Sequence, residues 1–360
     1  MSSAQVDSMP NVRGSSADPS WRAALAPYAE PRLGRSLLDL ATSLPPYLAL
    51  MVAMYFLLNV SYWLVLAVSI LAAGFLVRTF IIFHDCAHGS FLPSKRANAL
   101  LGAACGLFVM APFQAWKHEH AVHHATSGDL ERRGIGDVPM LTVAEYDASP
   151  WYLRLGYRLF RNPAVMFGIG PLWAMVLQPR FISRSERPRI RRSKWRTDVA
   201  IAAAIGLCCW LIGWERFLLL DAPSALMAGS IGVWLFYVQH QYEQGYWKDS
   251  ASWSYEEAAL RGASYLKLPK VLQFFTGNIG LHHVHHLSAR IPNYNLQGAH
   301  DALPLFREVP TLSLWGGIRC VKLKLWDEEH GRLVTFRQAR LRAIPTPVTG
   351  FELDPAETPG

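Results

Sequence analysis

The sequence predicts an all-α integral membrane protein: four transmembrane helices as two hairpins, with a cytoplasmic helical cap holding a histidine-rich di-metal site. Three observations predict it. The 360 residues are 51% hydrophobic and 12% aromatic but only 17% charged, the composition of a membrane protein with substantial aqueous parts, and a mean hydropathy of only +0.13 agrees. Four apolar stretches, residues 37–60, 62–83, 199–220 and 222–238, approach the roughly 20 residues that a membrane helix requires. Most of the 13 histidines crowd into three short boxes.

Residues 1–35 are rich in Ser, Pro, Ala and Gly without helical periodicity and read as a disordered cytoplasmic tail with at most a short surface helix around 21–28. No basic segment followed by an apolar one opens the chain, so the first span is expected to direct insertion. The domain proper is expected over 36–340, with a disordered tail over 341–360. Its first hairpin covers 37–83, and the link at 59–62 is too short for more than a turn. Arg78, near the inner end of the second span, reads as a snorkelling side chain that reaches toward headgroups.

That span runs straight into His84-Asp85-Cys86-Ala87-His88. Two imidazoles at i and i+4 lie about 40° apart on one helical face. Zinc proteases also carry H-x-x-x-H, but with a Glu base beside the first His, and here that residue is Asp85. Asp85 is better read as an outer partner that orients an imidazole through its other nitrogen. Cys86 points away from the pair and reads as a packed thiol. The five cysteines include no C-x-x-C spacing, so no disulfide framework is expected.

Residues 99–113 are apolar but short and contain Gly102, Gly106 and Pro112. A span here would carry the next box to the opposite side of the membrane, so the segment reads as re-entrant or interfacial. The next box, WKHEHAVHHATSGD over 116–129, holds His118, His120, His123 and His124. On a helix His120, His123 and His124 fall within about 100° of arc, whereas His118 points nearly the opposite way. Neutral imidazole is a common ligand for iron, zinc, copper and nickel, so H-x-x-H-H on one face reads as metal ligands, with a hydrogen-bonded polar cluster as the alternative.

An aromatic and basic amphipathic segment follows at 151–161 and reads as interfacial; the run 164–177 is too short to span and is broken by Pro171. The net charge of +8 is uneven, with eight of the 35 basic residues in RFISRSERPRIRRSKWR over 180–196. Positive-inside logic keeps this cluster, the N-terminus and everything after His240 on the cytoplasmic side. The second hairpin, 199–238, is expected to turn near Asp221, and His240 emerges from it at the depth of His84. Alone, His240 reads as a polar helix-end residue; its match in depth to the other boxes puts a ligand role on an equal footing.

The last box, GNIGLHHVHH over 277–286, repeats H-x-x-H-H at His282, His285 and His286, with His283 off that face. Residues 290–294 are expected to shape a loop near the site, and from Thr311 the chain reads as a soluble helix and tail. His300 and His330 have no evident partners and read as surface residues. Three boxes and His240 give nine histidines, more than one ion of four to six ligands can use, so two metals are the economical reading. A closed structural zinc site takes four ligands, usually with cysteine, and does not fit.

The segments HDCAHGSF, WKHEHAVHHATSGDLERRGIGD, FYVQHQYE and GNIGLHHVHHLSARIPNYNL resemble those of the membrane-bound fatty acid desaturases, nearest the bacterial acyl-lipid, omega-6 or delta-12-like branch, and the resemblance runs from about Leu37 to Leu333. One departure is Pro139, which stands in GDV-x-x-LTV where an aromatic is expected. The resemblance implies two Fe2+ ions held by His84, His88, His120, His123, His124, His282, His285 and His286, with His240 matching an extra ligand and Asn278 a possible outer or water-mediated contact. It implies O2 as co-substrate and cis desaturation of a fatty acyl chain. That chain would be carried on a glycerolipid, coenzyme A or acyl carrier protein.

No H-P-G-G haem motif of a fused cytochrome b5 domain occurs, so the electrons are expected from a separate ferredoxin- or cytochrome b5-type donor. The basic cluster could dock such a donor, or simply hold anionic headgroups on the positive-inside side. The expected setting is the bacterial inner membrane, with lipid partners, no nucleic acid and the active site facing the cytoplasm. Hydroxylation or acetylenic bond formation on a lipid or carotenoid shares the same boxes and is the nearest alternative. A metal transporter would line its spans with histidine, whereas these lie at or beyond helix ends.

Overall fold

The computed structural model describes residues 19–183 and 186–342. A short helix α1 (Pro19–Leu25) buries Trp21 and Leu25 in the core, and the Trp21 indole donates to Glu256 Oε1 at 2.8 Å. This part of the N-terminal segment is therefore packed, not a surface tail, and residues 1–18 lie outside the description, as do residues 343–360 of the expected C-terminal tail.

Among the described residues, four helices are long and apolar enough to cross a membrane: Leu33–Leu57, Tyr62–His88, Pro188–Ile212 and Trp214–His240. The first is two helices, α2 (Leu33–Ala41) and α3 (Leu44–Leu57), and after a short link Ser61 caps α4 (Tyr62–His88) by accepting from the Trp63 N–H at 3.3 Å. Exposed apolar side chains such as Leu48, Phe56, Trp63, Ile70, Trp210 and Leu218 coat this bundle, as a lipid-facing surface requires.

Next, α5 (Lys95–Phe108) and α6 (Phe113–Thr126) meet at an angle of 101°. Gly102 allows the close approach, because a Cβ there would stand 2.1 Å from the Phe113 ring. The bent pair brings α6 back onto α4, with Trp116 edge-on to Phe83 at 5.1 Å. A loop then leads to β1 (Leu141–Thr142), α7 (Val143–Ala148) and the amphipathic α8 (Trp151–Phe160), whose Trp151, Tyr152, Leu153 and Leu159 are exposed. Residues Val165–Ile169 and Leu172–Leu177 are π-helical, flanking Pro171.

The second hairpin is α9 (Pro188–Ile212) and α10 (Trp214–His240). The turn is Gly213, at φ 87°, and not Asp221, which lies inside α10. A glycine that adopts the left-handed region ends a helix at little cost, whereas a single carboxylate need not. The expected start also shifts: the helix begins at Pro188, so most of the basic cluster is its first turns. Arg78 likewise departs from expectation. It is buried, and it pairs with Asp39 on α2 and donates to the Phe274 carbonyl instead of reaching headgroups.

After α10 come α11 (Tyr255–Arg261), β2 (Tyr265–Lys267), α12 (Lys270–Phe275), α13 (His282–Leu287) and α14 (Leu296–Ala302). The segment from Thr311 is more than a helix and tail: β3 (Thr311–Ser313), α15 (Leu314–Cys320), β4 (Leu325–Asp327), β5 (Arg332–Val334) and α16 (Phe336–Arg342). The fold is therefore mostly helical, but not all-α. In one small sheet β4 lies between a parallel β1 (Leu141 opposite Leu325) and an antiparallel β5; in the other β2 and β3 are parallel. Buried Arg161 joins these parts, donating to Pro139 O at 2.7 Å, Tyr237 Oη at 3.1 Å, Gln241 Oε1 at 3.0 Å and Leu323 O at 3.2 Å.

Candidate metal centre

The C-terminal ends of α4 and α10 deliver His84, His88 and His240, α6 delivers His120, His123 and His124, and α13 delivers His282, His285 and His286. Nine side chains from four helices thus meet at one end of the bundle. Gly280 makes the approach of α13 possible, since a Cβ there would stand 2.4 Å from the Leu266 carbonyl oxygen. Two groups stand out by their ring nitrogens, each within 4.8 Å of one another: His84, His88, His120 and His285, and His123, His240, His282 and His286. His124 touches both, with its Nε2 3.1 Å from that of His120 and 2.9 Å from that of His285, and its ring stacked on His286 at 4.2 Å.

Acceptors fix the ring tautomers. His84 Nδ1 donates to Asp85 Oδ1 at 3.1 Å, His123 Nδ1 to Asp137 Oδ1 at 2.6 Å, and His240 Nδ1 to the Gly262 carbonyl at 3.0 Å. A neutral ring that donates from Nδ1 keeps only a lone pair at Nε2. Yet His123 Nε2 and His240 Nε2 face each other at 3.2 Å, and His240 Nε2 and His282 Nε2 at 2.9 Å. His88 Nε2 and His286 Nε2 are buried without a hydrogen-bond partner among the described residues. Opposed lone pairs and orphaned nitrogens in a dry site are costly unless a cation lies between them. The donor set therefore fits two metal ions of imidazole preference.

Burial first, then the neighbouring imidazoles, hold His282, His285 and His286 well below the usual histidine range, which keeps them neutral and able to ligate. Trp116 stacks on His120 at 4.3 Å, and Phe236 lies 5.1 Å from His123 and 5.3 Å from His240, so the rings are enclosed by aromatic surface.

Asp85 lies against His84 Nδ1 and is itself held: its Oδ2 accepts from the Asn293 backbone N–H at 2.7 Å and Nδ2 at 3.0 Å, while that Nδ2 also reaches Asp39 Oδ2 at 2.9 Å. Among the described residues Asn278 makes no hydrogen bond to a histidine; at φ 57° its Nδ2 donates to Asn293 O at 3.4 Å. His118 lies off the cluster. His283 is buried and bonds His300, Nε2 to Nδ1 at 3.0 Å, against Phe306, so His300 is not a lone surface residue; His330 likewise has Asp327 beside it at 3.3 Å. The sequence reading missed Asp137, Asn293 as a second-layer donor and the Gly262 carbonyl; only Asp137, in the glycine-rich loop after the second box, left a signal.

An apolar helical bundle that closes on a polyhistidine cluster with fixed tautomers has the build of a membrane-embedded metal-dependent enzyme. Comparison with known proteins gives the family. The fatty acid desaturase family profile matches residues 61–311, and the chain belongs to that family, enzymes that desaturate fatty acids. It is 45% identical over 323 residues to a fatty acid desaturase of Bacillus subtilis, covering 90% of this chain and 92% of the relative. It is 28% identical to the sn-1 oleoyl-lipid 12-desaturase of Synechocystis, over 71% of this chain and 74% of that one. The sn-1 acyl-lipid omega-3 desaturase (ferredoxin) of Synechocystis is 27% identical, over 62% of this chain and 63% of the relative.

Proposed function

We propose that the chain introduces a cis double bond into a lipid-borne fatty acyl chain at a di-iron centre. The reaction converts –CH2–CH2– with O2, two electrons and two protons into –CH=CH– and two waters. The observation that carries this reading is the facing of His123 and His240, Nε2 to Nε2 at 3.2 Å with both Nδ1 atoms engaged by acceptors, because such a pair calls for a cation. His84, His88, His120 and His285 would hold one iron and His123, His240, His282 and His286 the other, with His124 between them. Bound iron supplies the O2 chemistry that an unactivated methylene demands. The protein's own part is orientation: Asp85, Asp137 and the Gly262 carbonyl hold Nδ1–H and aim each Nε2 inward, while Trp116 and Phe236 exclude water.

Two electrons would come from a separate ferredoxin- or cytochrome b5-type protein; the name of the omega-3 relative, a ferredoxin-type desaturase, favours the former. The histidine end of the bundle would face the cytoplasm at a bacterial inner membrane, on the positive-inside argument for the arginines at the start of α9. The test is gas chromatography with mass spectrometry of fatty acids from a host that expresses the wild type or His285→Ala, beside the iron content of the purified proteins. A new unsaturated species confined to the wild type, with about two irons per chain, supports the reading. Hydroxylated or acetylenic products keep the metal centre and change the reaction, and a chain that purifies without iron overturns it.

A further inference from the structure

We infer that the cleft between α5, α6 and the first turns of α9 binds the phosphodiester headgroup of a glycerophospholipid that carries the acyl chain. This rests on the proposed function and names its substrate class. The cleft encloses about 480 Å³, with Ala99, Ala103 and Phe113 on its apolar side and Arg189, Arg192 and Arg196 on the other. The arginines recur every three to four positions, so they stack along one face of α9. Other cations of the same basic stretch are neutralised inside the fold: Arg180 by Asp198 at 3.2 Å and Lys194 by Glu186 at 2.7 Å. Arg189, Arg192 and Arg196 form no hydrogen bond or ion pair with a described residue.

More positive charge lies beside it. Lys117 on α6 is held below its usual range by partial burial and then by the charges of Arg189 and Lys95. Three arginines of α9 line the cleft, with Lys117 and Lys95 beside it, and such like charges repel each other unless an anion sits among them. A guanidinium fork suits phosphate oxygens bidentately.

The position favours a lipid over a soluble phosphate. Only one residue, Gly213, separates α9 from the antiparallel α10, so the arginines lie at the end of the bundle where α10 delivers His240. Trp195 and Leu100, on the helices that form the cleft, are exposed, as residues at a membrane interface are. Phe113, in the cleft wall, lies on the same helix as His120, about 10 Å away along its axis at ~1.5 Å per residue. A headgroup held there would lie within an acyl chain's length of His120.

The full-length protein, purified in detergent, would be titrated with phosphatidylglycerol, uncharged diacylglycerol or coenzyme A and read by native mass spectrometry. Phosphatidylglycerol is expected to bind and diacylglycerol to bind weakly. Affinity should fall about fivefold for each of Arg189→Ala, Arg192→Ala and Arg196→Ala, while Arg187→Ala and Arg191→Ala, outside the cleft lining, change it little. Each variant must keep the wild-type iron content and elute as a monodisperse species. Equal losses for all five variants would mean general charge attraction and overturn the inference, and coenzyme A displacing the lipid would reassign the cleft to a soluble carrier. Binding needs no turnover: a wild type that binds phosphatidylglycerol at the cleft yet desaturates no acyl chain sinks the proposed function, and one that desaturates with binding unchanged in the variants sinks only this inference.

Discussion

Arg78 reaches from α4 to Asp39 on α2, and the pair is buried on both sides, with side-chain exposures of 11% and 6%. The same Asp39 accepts from Asn293, which also holds Asp85, and Asp85 orients His84. A hydrogen-bonded chain thus runs from an ion pair between two helices of the bundle to the first histidine box. Removal of one partner strands a charge away from water. Asp39→Leu or Arg78→Met alone is expected to destabilise by about 3–5 kcal/mol, whereas the double variant should recover much of that loss. Denaturation of the detergent-solubilised protein measures it, and single variants as stable as the wild type would refute the coupling.

The histidine assignments predict a sharp contrast among substitutions. His285→Ala and His124→Ala should abolish product formation and lower bound iron while leaving membrane insertion intact, because the four long apolar helices do not depend on the metal. His118→Ala should be mild, since its ring lies off the cluster. His283→Ala should cost stability but not iron, because His283 is buried against Phe306 and bonded to His300. Iron analysis of membranes and of purified protein separates these cases, and a His283 variant that loses iron while it stays folded would contradict the grouping.

Asp137 and Asp85 are expected to tune the metal without touching it. Asp137→Asn or Asp85→Asn should weaken iron binding by roughly 10–100-fold, measured by competition with a chelator, with the larger effect at Asp137, whose bond to His123 is the shorter at 2.6 Å against 3.1 Å. Unchanged iron affinity in both would show that the tautomers are set elsewhere.

Acid should destabilise the apo protein. Histidines in an unfolded chain titrate near 6.5, whereas His282, His285 and His286 lie well below that when folded and burial pushes His283 down to about 3. Below pH ~6.5 the unfolded state therefore binds protons that the folded state refuses, so stability falls as pH falls, by up to ~1.4 kcal/mol per pH unit for each such histidine, and is level above that range. Metal release runs in the same direction because protonated imidazole cannot ligate. Denaturation midpoints at pH 7.5 and pH 5.0 check the sign; greater stability at pH 5.0 would refute it.

The histidine cluster was legible in the sequence because its members come in helical register: His120, His123 and His124 need only helix periodicity to converge, and His84 and His240 each end a long apolar run. What escaped was long-range or too short to leave a period. Arg78 and Asp39 lie 39 positions apart, and nothing local told a snorkelling arginine from a buried one. Strands of two or three residues, such as Leu141–Thr142 and Leu325–Asp327, show no alternation that a reader could count. Asp221 looked like a turn because it is charged, but the backbone broke at Gly213, where φ is positive.

The third histidine box lies more than forty residues beyond the last helix able to span a membrane, and β4, which pairs with β1 beside the Asp137 loop, lies later still. The two four-histidine groups are complete only once His285 and His286 have been made, and the β1-β4-β5 sheet closes only with β4 and β5. Maturation of this enzyme is thus ordered in time: the apolar helices can enter the bilayer during synthesis, but the histidine cluster cannot close until α13 has been made, so a nascent chain stalled before α13 is expected to be inserted yet unable to bind metal at the proposed centre.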